Sequence, residues 1–278
     1  MKYYLFIILV DKAVGGRMAI CRLSIFIITF LFSAFSQGGS KPFTLVYANH
    51  WSPYSFVDKE GQAKGILVDI ADYLLGHQLD IPVQHIALPW KRAQSMVRSG
   101  KYDALITAPT ADRKMYSFSS ESVLYKLQWR AYISALTPNY EQLLTMDNPL
   151  SVPARCIMLL GDLTSERIYT KYRQKCLTVK NLSNAVKMLQ MGRADLFVHA
   201  RAIMNQQLQS DGIADTITAH PSVLREVAFH LLVNKSSDHA KYLPEKLDQY
   251  LNSAEGMADY QGFLRLLDTR TYYARILP

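Results

Sequence analysis

"LYKLQWRAYISA", residues 124–135, decides how the rest of the chain is to be read. It is rich in aromatic and other strand-forming side chains and has no helical period, so it reads as an extended stretch. Upstream of it lies an alternating series. "FTLVYAN" (43–49) reads as a strand, and "GILVDIADYLLGHQL" (65–79) as a helix with Ile66, Ile70, Tyr73 and Leu74 on one face. "IPVQHIAL" (81–88) is a second strand, "WKRAQSMVRSG" (90–100) a helix closed by Gly100, and "YDALITA" (102–108) a third strand. Downstream a new series begins with "RCIMLL" (155–160) as a strand and a helix from about Thr164 to Gln174. It continues with "NLSNAVKMLQMG" (181–192) as a helix and "ADLFVHA" (194–200) as a strand. A second β-rich stretch, "LREVAFHLLVNKS" (224–236), leads to two closing helices, "PEKLDQYLNSAEG" and "MADYQGFLRLLD". Two extended crossings therefore bracket an inserted α/β unit. The expected fold is α/β with mainly parallel sheets, in two lobes joined by a two-stranded hinge.

The expected boundaries are a leader over 1–36, lobe one over 37–126, an inserted lobe two over 127–226, and a return to lobe one over 227–278. The leader is read from a short basic start at Met18 to Arg22, a nearly all-apolar run from Leu23 to Phe35, and small residues at Ala34 and Ser36. Met18 makes a better start than Met1, whose segment is broken by Asp11, Lys12 and Gly15-Gly16. An uncleaved anchor is the alternative, but the apolar run falls short of the roughly 18–20 residues that span a bilayer. Cys21 precedes that run, which argues against a lipid anchor behind it. Export to the periplasm follows, and it changes how charge and cysteines are read. The net charge of +8 on the 278-residue chain shrinks when the leader's four cations are removed against Asp11, and what remains is scattered. No basic run or aromatic-interleaved stripe suggests nucleic acid. An apolar fraction of 49% is ample for a core, and nothing in the sequence calls for more than a monomer.

Cys156 and Cys176 flank a predicted strand, turn and helix. Five residues of strand rise about 17 Å and twelve of helix about 18 Å, so the two sulfurs should finish near each other. In an oxidising compartment a disulfide is the favoured reading, with two buried thiols as the alternative. Enzyme signatures are thin: no nucleophile elbow, no phosphate-binding glycine loop and no Cys-x-x-Cys occurs, and the seven histidines lack metal spacing. No cofactor, metal or catalytic residue is expected. Repeats and low-complexity tracts are also missing from the pattern.

Four motifs in order carry a family resemblance. They are "WSPYSFVDKEGQAKGILVDIADYL" (51–74), "GKYDALITAPTADRKMYSFSSE" (100–121), "GRADLFVHA" (192–200) and "VNKSS" (233–237). Together the chain resembles the bacterial extracellular solute-binding proteins of family 3, the polar amino-acid type of periplasmic receptor for ABC importers, in an orphan branch. The resemblance implies a two-lobed type II periplasmic-binding-protein-like fold, a small carboxylate-bearing ligand, and an inner-membrane ABC permease or a sensor as partner. It also implies that Arg113 forks its guanidinium onto a ligand carboxylate, helped by Thr110 and by backbone donors near Thr107 and Ala108. A planar five-donor group suits that task. The alternative for Arg113 is a surface residue paired with Asp112 or Glu121. The stretch from Asp103 to Arg113 is about two residues shorter than the commonest family pattern, which alters where those donors sit.

Ligands bind beyond the carboxyl ends of strands in open parallel sheets. Trp51 and Tyr54 follow such an end and are expected to wall the cleft, with Phe56 closer to core. Trp90, which also follows a strand, is a further candidate, or else a tryptophan packed beneath the cleft. In lobe two, Thr164 or Ser165 is expected to cap a helix whose spare amides face an anion. Where the amino-acid receptors carry an aspartate for the ligand ammonium, this chain counts out to Ala200. His199 beside it is expected in core or hinge. The ligand is then an organic acid, a modified amino acid or a small peptide. Two other functions stay open: a dehydratase acting on a cyclic acid, with Glu121 as the one weak candidate for its general acid, and a soluble sensor partner of a membrane receptor.

Overall fold

The computed structural model describes residues 41–213 and 215–267. The predicted leader lies outside them. Five parallel and antiparallel strands make the first half of one long, curled sheet: β1 (Phe43–Ala48), β5 (Val83–Leu88), β6 (Ala104–Thr107), β7 (Ser117–Ser119) and part of β13 (Arg225–Asn234). Between β1 and β5 the chain forms a small three-stranded sheet, β2 (His50–Trp51), β3 (Ser55–Val57) and β4 (Ala63–Lys64), then helix α1 (Ile66–Ala71). That helix widens into a π-helical segment at Asp72–Gln78, a departure from the regular helix expected there. Helices α2 (Trp90–Arg98) and α3 (Ala111–Tyr116) follow β5 and β6.

The second half holds β8 (Tyr125–Ser134), α4 (Tyr140–Thr145), β9 (Cys156–Leu159), α5 (Leu163–Lys171), β10 (Leu177–Val179), α6 (Leu182–Gln190), β11 (Leu196–Ala200), α7 (Arg201–Ser210) and β12 (Ile217–Ala219). Helices α8 (Tyr242–Asn252) and α9 (Ala254–Leu267) close the described chain. The two 10-residue strands β8 and β13 are the crossings expected from the sequence. β13 makes the link visible in its register: Arg225 to Phe229 pair with β8, and His230 to Val233 pair with β6. One strand thus belongs to both halves. Separate apolar cores lie on either side of this crossing, one around Leu45, Ile66, Ile70, Leu74 and Leu231, another around Phe197, Val186 and Leu189.

Each half anchors a central strand in the same way. Asp103, just before β6, accepts from the Thr44 amide (2.8 Å), the Thr44 hydroxyl (2.6 Å) and the Ser237 hydroxyl (2.6 Å). Asp195, just before β11, accepts from the Arg155 amide (2.8 Å) and guanidinium and from the Thr137 hydroxyl (2.7 Å). In both, a left-handed glycine, Gly100 or Gly192, stands three residues upstream. The aspartates of two sequence motifs are therefore structural, and this echo between halves is one the sequence reading passed over.

Cys156 and Cys176 are joined, with Cα atoms 4.6 Å apart, as the strand and helix lengths predicted. The bridge ties β9 to the segment after α5. Among the described residues no helix is long and apolar enough to cross a membrane.

Candidate ligand-binding site

A pocket of about 450 Å³ opens at the carboxyl ends of β1 and β6. Its walls come from β1 (Val46, Tyr47, Ala48), the loop and strand that follow (His50, Trp51, Ser55), the start of α2 (Trp90), the end of β6 (Ile106, Thr107, Ala108), and Arg113 and Phe229. Most of this lining is apolar or aromatic, with few polar groups, the composition expected of a small-molecule site.

The aromatic loop is held by helix α1. The amides of Ile66 and Leu67, which an isolated helix start would leave unpaired, donate to the carbonyls of Pro53 and Tyr54 at 2.9 Å each. This close approach requires Gly65. Its φ is +118°, and a Cβ there would stand 2.7 Å from both of those carbonyl oxygens. Gly65→Ala is expected to cost about 2–3 kcal/mol and to shift the loop that carries Trp51; urea unfolding of the variant checks the first part, and an unchanged midpoint would contradict it.

Two neighbouring aromatics in that loop have different fates. Trp51 is half-buried, lines the pocket and packs against Phe229, with ring centroids 5.9 Å apart. Tyr54, expected beside it at the cleft, is instead 1% exposed in the first core, edge-on to Tyr125 and 4.5 Å from the Trp51 ring. It backs the tryptophan and does not line the pocket. Phe56 is partly buried, outside both the pocket and the core.

Arg113 points inward. Its guanidinium lies over the Trp90 ring, 5.3 Å from the centroid. Nε and Nη2 donate to the side-chain oxygen of Gln94 (3.2 and 2.9 Å), and Nη1 donates to the Ala108 carbonyl (2.8 Å). Trp90 and Gln94 are one turn apart on α2, so a single helix face supplies both the ring and the anchor. Among the described residues no carboxylate lies within ion-pair distance of Arg113: Asp112, its expected surface partner, is bonded to Arg98. Burial pushes the Arg113 pKa down, with Tyr116 and Asp112 opposing; an arginine keeps its charge regardless. The result is a half-desolvated cation with neutral partners, and hydrogens to spare, at the edge of a pocket.

The other sequence candidates are placed less directly. Thr107 and Ala108 line the pocket, but Ala108 offers Arg113 its carbonyl. Thr110 caps α3, its hydroxyl accepting from the Arg113 amide, and stands outside the pocket. In the second half, the cap of α5 is Asp162, two residues before Thr164 and three before Ser165. Its carboxylate accepts from the amides of Thr164 and Ser165 (3.1 Å each) and from the Ser165 hydroxyl (2.6 Å). The spare amides expected to face an anion are thus taken by the chain's own carboxylate.

His199 completes that cluster, 3.0 Å from Asp162 through Nδ1 and 7% exposed, a buried structural position as expected. Burial would raise the Asp162 pKa, but the His199 and Ser165 hydrogen bonds outweigh it and hold it at about 2. A folded-state value below the unfolded one near 3.9 means stability that is present above pH 4 and lost as pH falls toward 2, worth about 2 kcal/mol. Asp162→Asn keeps the cap but removes the charge. It is expected to flatten the melting-temperature profile between about pH 4 and pH 2; a profile parallel to that of the parent would refute the assignment.

Sequence reasoning missed Phe229, Ser55 and His50 in the lining, and Gln94, which holds Arg113 from behind. Of these, Gln94 had a usable signal, its spacing from Trp90 on a helix that follows a strand.

With that geometry in place, comparison with known proteins is informative. Residues 43–135 match the family of bacterial extracellular solute-binding proteins, family 3. This bears out the resemblance drawn from the sequence. The matched span runs from β1 through β8, and it contains every pocket residue except Phe229. Comparison with curated proteins finds no match. Among solved structures, substrate binding domain 2 of Lactococcus lactis GlnP in its open conformation is 14% identical, with a TM-score of 0.62, covering 85% of this chain and 97% of that one. The unliganded, open L-cystine solute receptor of Neisseria gonorrhoeae is 14% identical, with a TM-score of 0.61 and coverages of 79% and 90%. An ancestral cyclohexadienyl dehydratase, also 14% identical, reaches a TM-score of 0.56 with coverages of 95% and 98%. The fold is that of the two-lobed type II periplasmic binding proteins.

Proposed function

We propose that the protein is a periplasmic solute-binding protein that captures a small carboxylate-bearing solute by hinge closure, for uptake through an ABC permease or for sensing. The observation that carries this reading is Arg113: a cation held at the edge of an aromatic pocket by Gln94, Ala108 and Trp90, with no carboxylate partner among the described residues. Desolvating a charge without a counter-ion is costly unless an anion from outside completes the pair. The two lobes take the boundaries read from the sequence, with β8 and β13 as the hinge. Ligand docks on lobe one, and lobe two folds over it. Closure follows only if the ligand binds the closed form more tightly than the open one.

The dehydratase reading has less support. A general acid must stand within reach of the substrate, and among the described residues the pocket lining holds no aspartate or glutamate. Glu121 is exposed on a loop, where its amide donates to Asp248 on α8. A thermal-shift screen of carboxylic acids, amino acids and short peptides, with the bound compound recovered and identified, tests both. A stabilising compound recovered unchanged supports the receptor; recovery of a dehydrated product supports the enzyme.

A further inference from the structure

The receptor reading leaves the class of acid open, and the pocket narrows it. Amino-acid recognition needs a negative partner for the ammonium group. None lines this pocket among the described residues, and Ala200 stands where the sequence places the usual aspartate. In the second half, Asp162 at the start of α5 already accepts four hydrogen bonds, from two amides, the Ser165 hydroxyl and His199. That fills the acceptor capacity of a carboxylate. One face of the Trp90 ring is already covered by the Arg113 guanidinium, so that face is not open to a ligand cation.

A second observation points to a neutral polar group on the ligand. Ser55 lines the pocket and is 1% exposed, yet its hydroxyl has no hydrogen-bond partner among the described residues. Buried hydroxyls are normally satisfied, so an orphan in a pocket wall marks a contact that the chain leaves to something else. Ser55 stands directly opposite Trp51 in the β2–β3 pair, so the orphan adjoins the aromatic wall. Tyr47, which also lines the pocket, has its hydroxyl already engaged: it is bonded to His85 Nδ1 at 2.9 Å.

We infer that the ligand is an aromatic carboxylic acid without a charged amine, carrying a neutral hydrogen-bonding substituent: Arg113 takes the acid, Trp51 and Phe229 the ring, and Ser55 the substituent. This rests on the receptor reading above and sharpens it. The pocket volume of about 450 Å³ lies within the roughly 300–1,000 Å³ range of small-molecule sites.

Matched pairs test it by isothermal titration calorimetry. 3-(4-Hydroxyphenyl)propanoate and L-tyrosine differ only in the ammonium, as do 3-phenylpropanoate and L-phenylalanine. The deaminated member of each pair is expected to bind at least about 30-fold more tightly, since the amine must otherwise be buried unpaired. The hydroxylated acid is expected to exceed the plain one by about three- to tenfold, and Ser55→Ala should narrow that gap. Equal or tighter binding of the amino acids overturns the inference while leaving the receptor reading intact, provided Arg113→Ala abolishes it. Tighter binding of glycine betaine or of an aliphatic acid overturns it in the same way. A gap that survives Ser55→Ala removes the role of Ser55. If no carboxylate of any kind binds, the receptor reading fails and the inference with it.

Discussion

Arg113→Ala is expected to weaken carboxylate binding by about 100- to 1,000-fold. Two charge-assisted hydrogen bonds to a carboxylate are worth roughly 3–4 kcal/mol in a partly desolvated site, which converts to that range at 1.4 kcal/mol per tenfold. The fold should survive, because the residue's partners are neutral acceptors at the pocket edge: Gln94 and the Ala108 carbonyl. Arg113→Lys should recover only a small part of the loss, since an ammonium lacks the planar fork that meets both carboxylate oxygens and cannot span Gln94 and Ala108 at once. Titration calorimetry reads both variants. A dissociation constant for Arg113→Ala within threefold of the parent would show that the acid is bound elsewhere.

The second large effect concerns stability. The bridge between Cys156 and Cys176 closes a loop across 20 residues. Loops of that size limit the unfolded chain enough to be worth about 3 kcal/mol. The Cys156→Ala, Cys176→Ala double variant is therefore expected to melt about 6–12 °C lower than the oxidised parent. The parent under strong reductant should move in the same direction. Both cysteines pack in the core formed by Ile133, Leu143, Ile168 and Leu196, remote in the fold from the pocket wall. Ligand affinity well below the melting temperature should therefore change little. Equal melting temperatures with and without reductant would contradict the stabilising role.

Much of the architecture was legible because its decisive elements are long. A 10-residue strand such as β8 or β13 leaves a period that no helix reproduces, and the two together are what led to the expectation of an inserted lobe. Shorter pieces left no such trace. Strands β2 and β4 have two residues each, too few to show alternation, yet the small sheet they form carries Trp51 and Ser55. Helix α7 was missed for a different reason. It starts directly from β11 with no side-chain cap at Ala200 and no loop before it, so the usual start signal is not there.

Among the sequence candidates that line the pocket, Trp51 and Trp90 are legible because each follows a strand's carboxyl end, and Arg113 through the family resemblance. The sequence could not tell Trp51 from Tyr54, three residues apart in one loop. Their roles are set by how the Pro53 and Tyr54 carbonyls hang on the amides of α1, a tertiary contact. The misplaced cap of α5 has a local cause. Gly161-Asp162 reads as a turn, and the same aspartate serves as both turn residue and cap. That difference of two or three positions matters, because a carboxylate on the helix start removes the anion site that a threonine or serine cap would have left open.

The central claim is that an acid captured by Arg113 brings two lobes together about β8 and β13. Small-angle X-ray scattering tests it most directly, with and without a saturating carboxylate ligand. The radius of gyration is expected to fall on ligand addition to the parent and to stay constant for Arg113→Ala. A radius that does not change in the parent, under conditions where calorimetry shows the site full, would contradict closure.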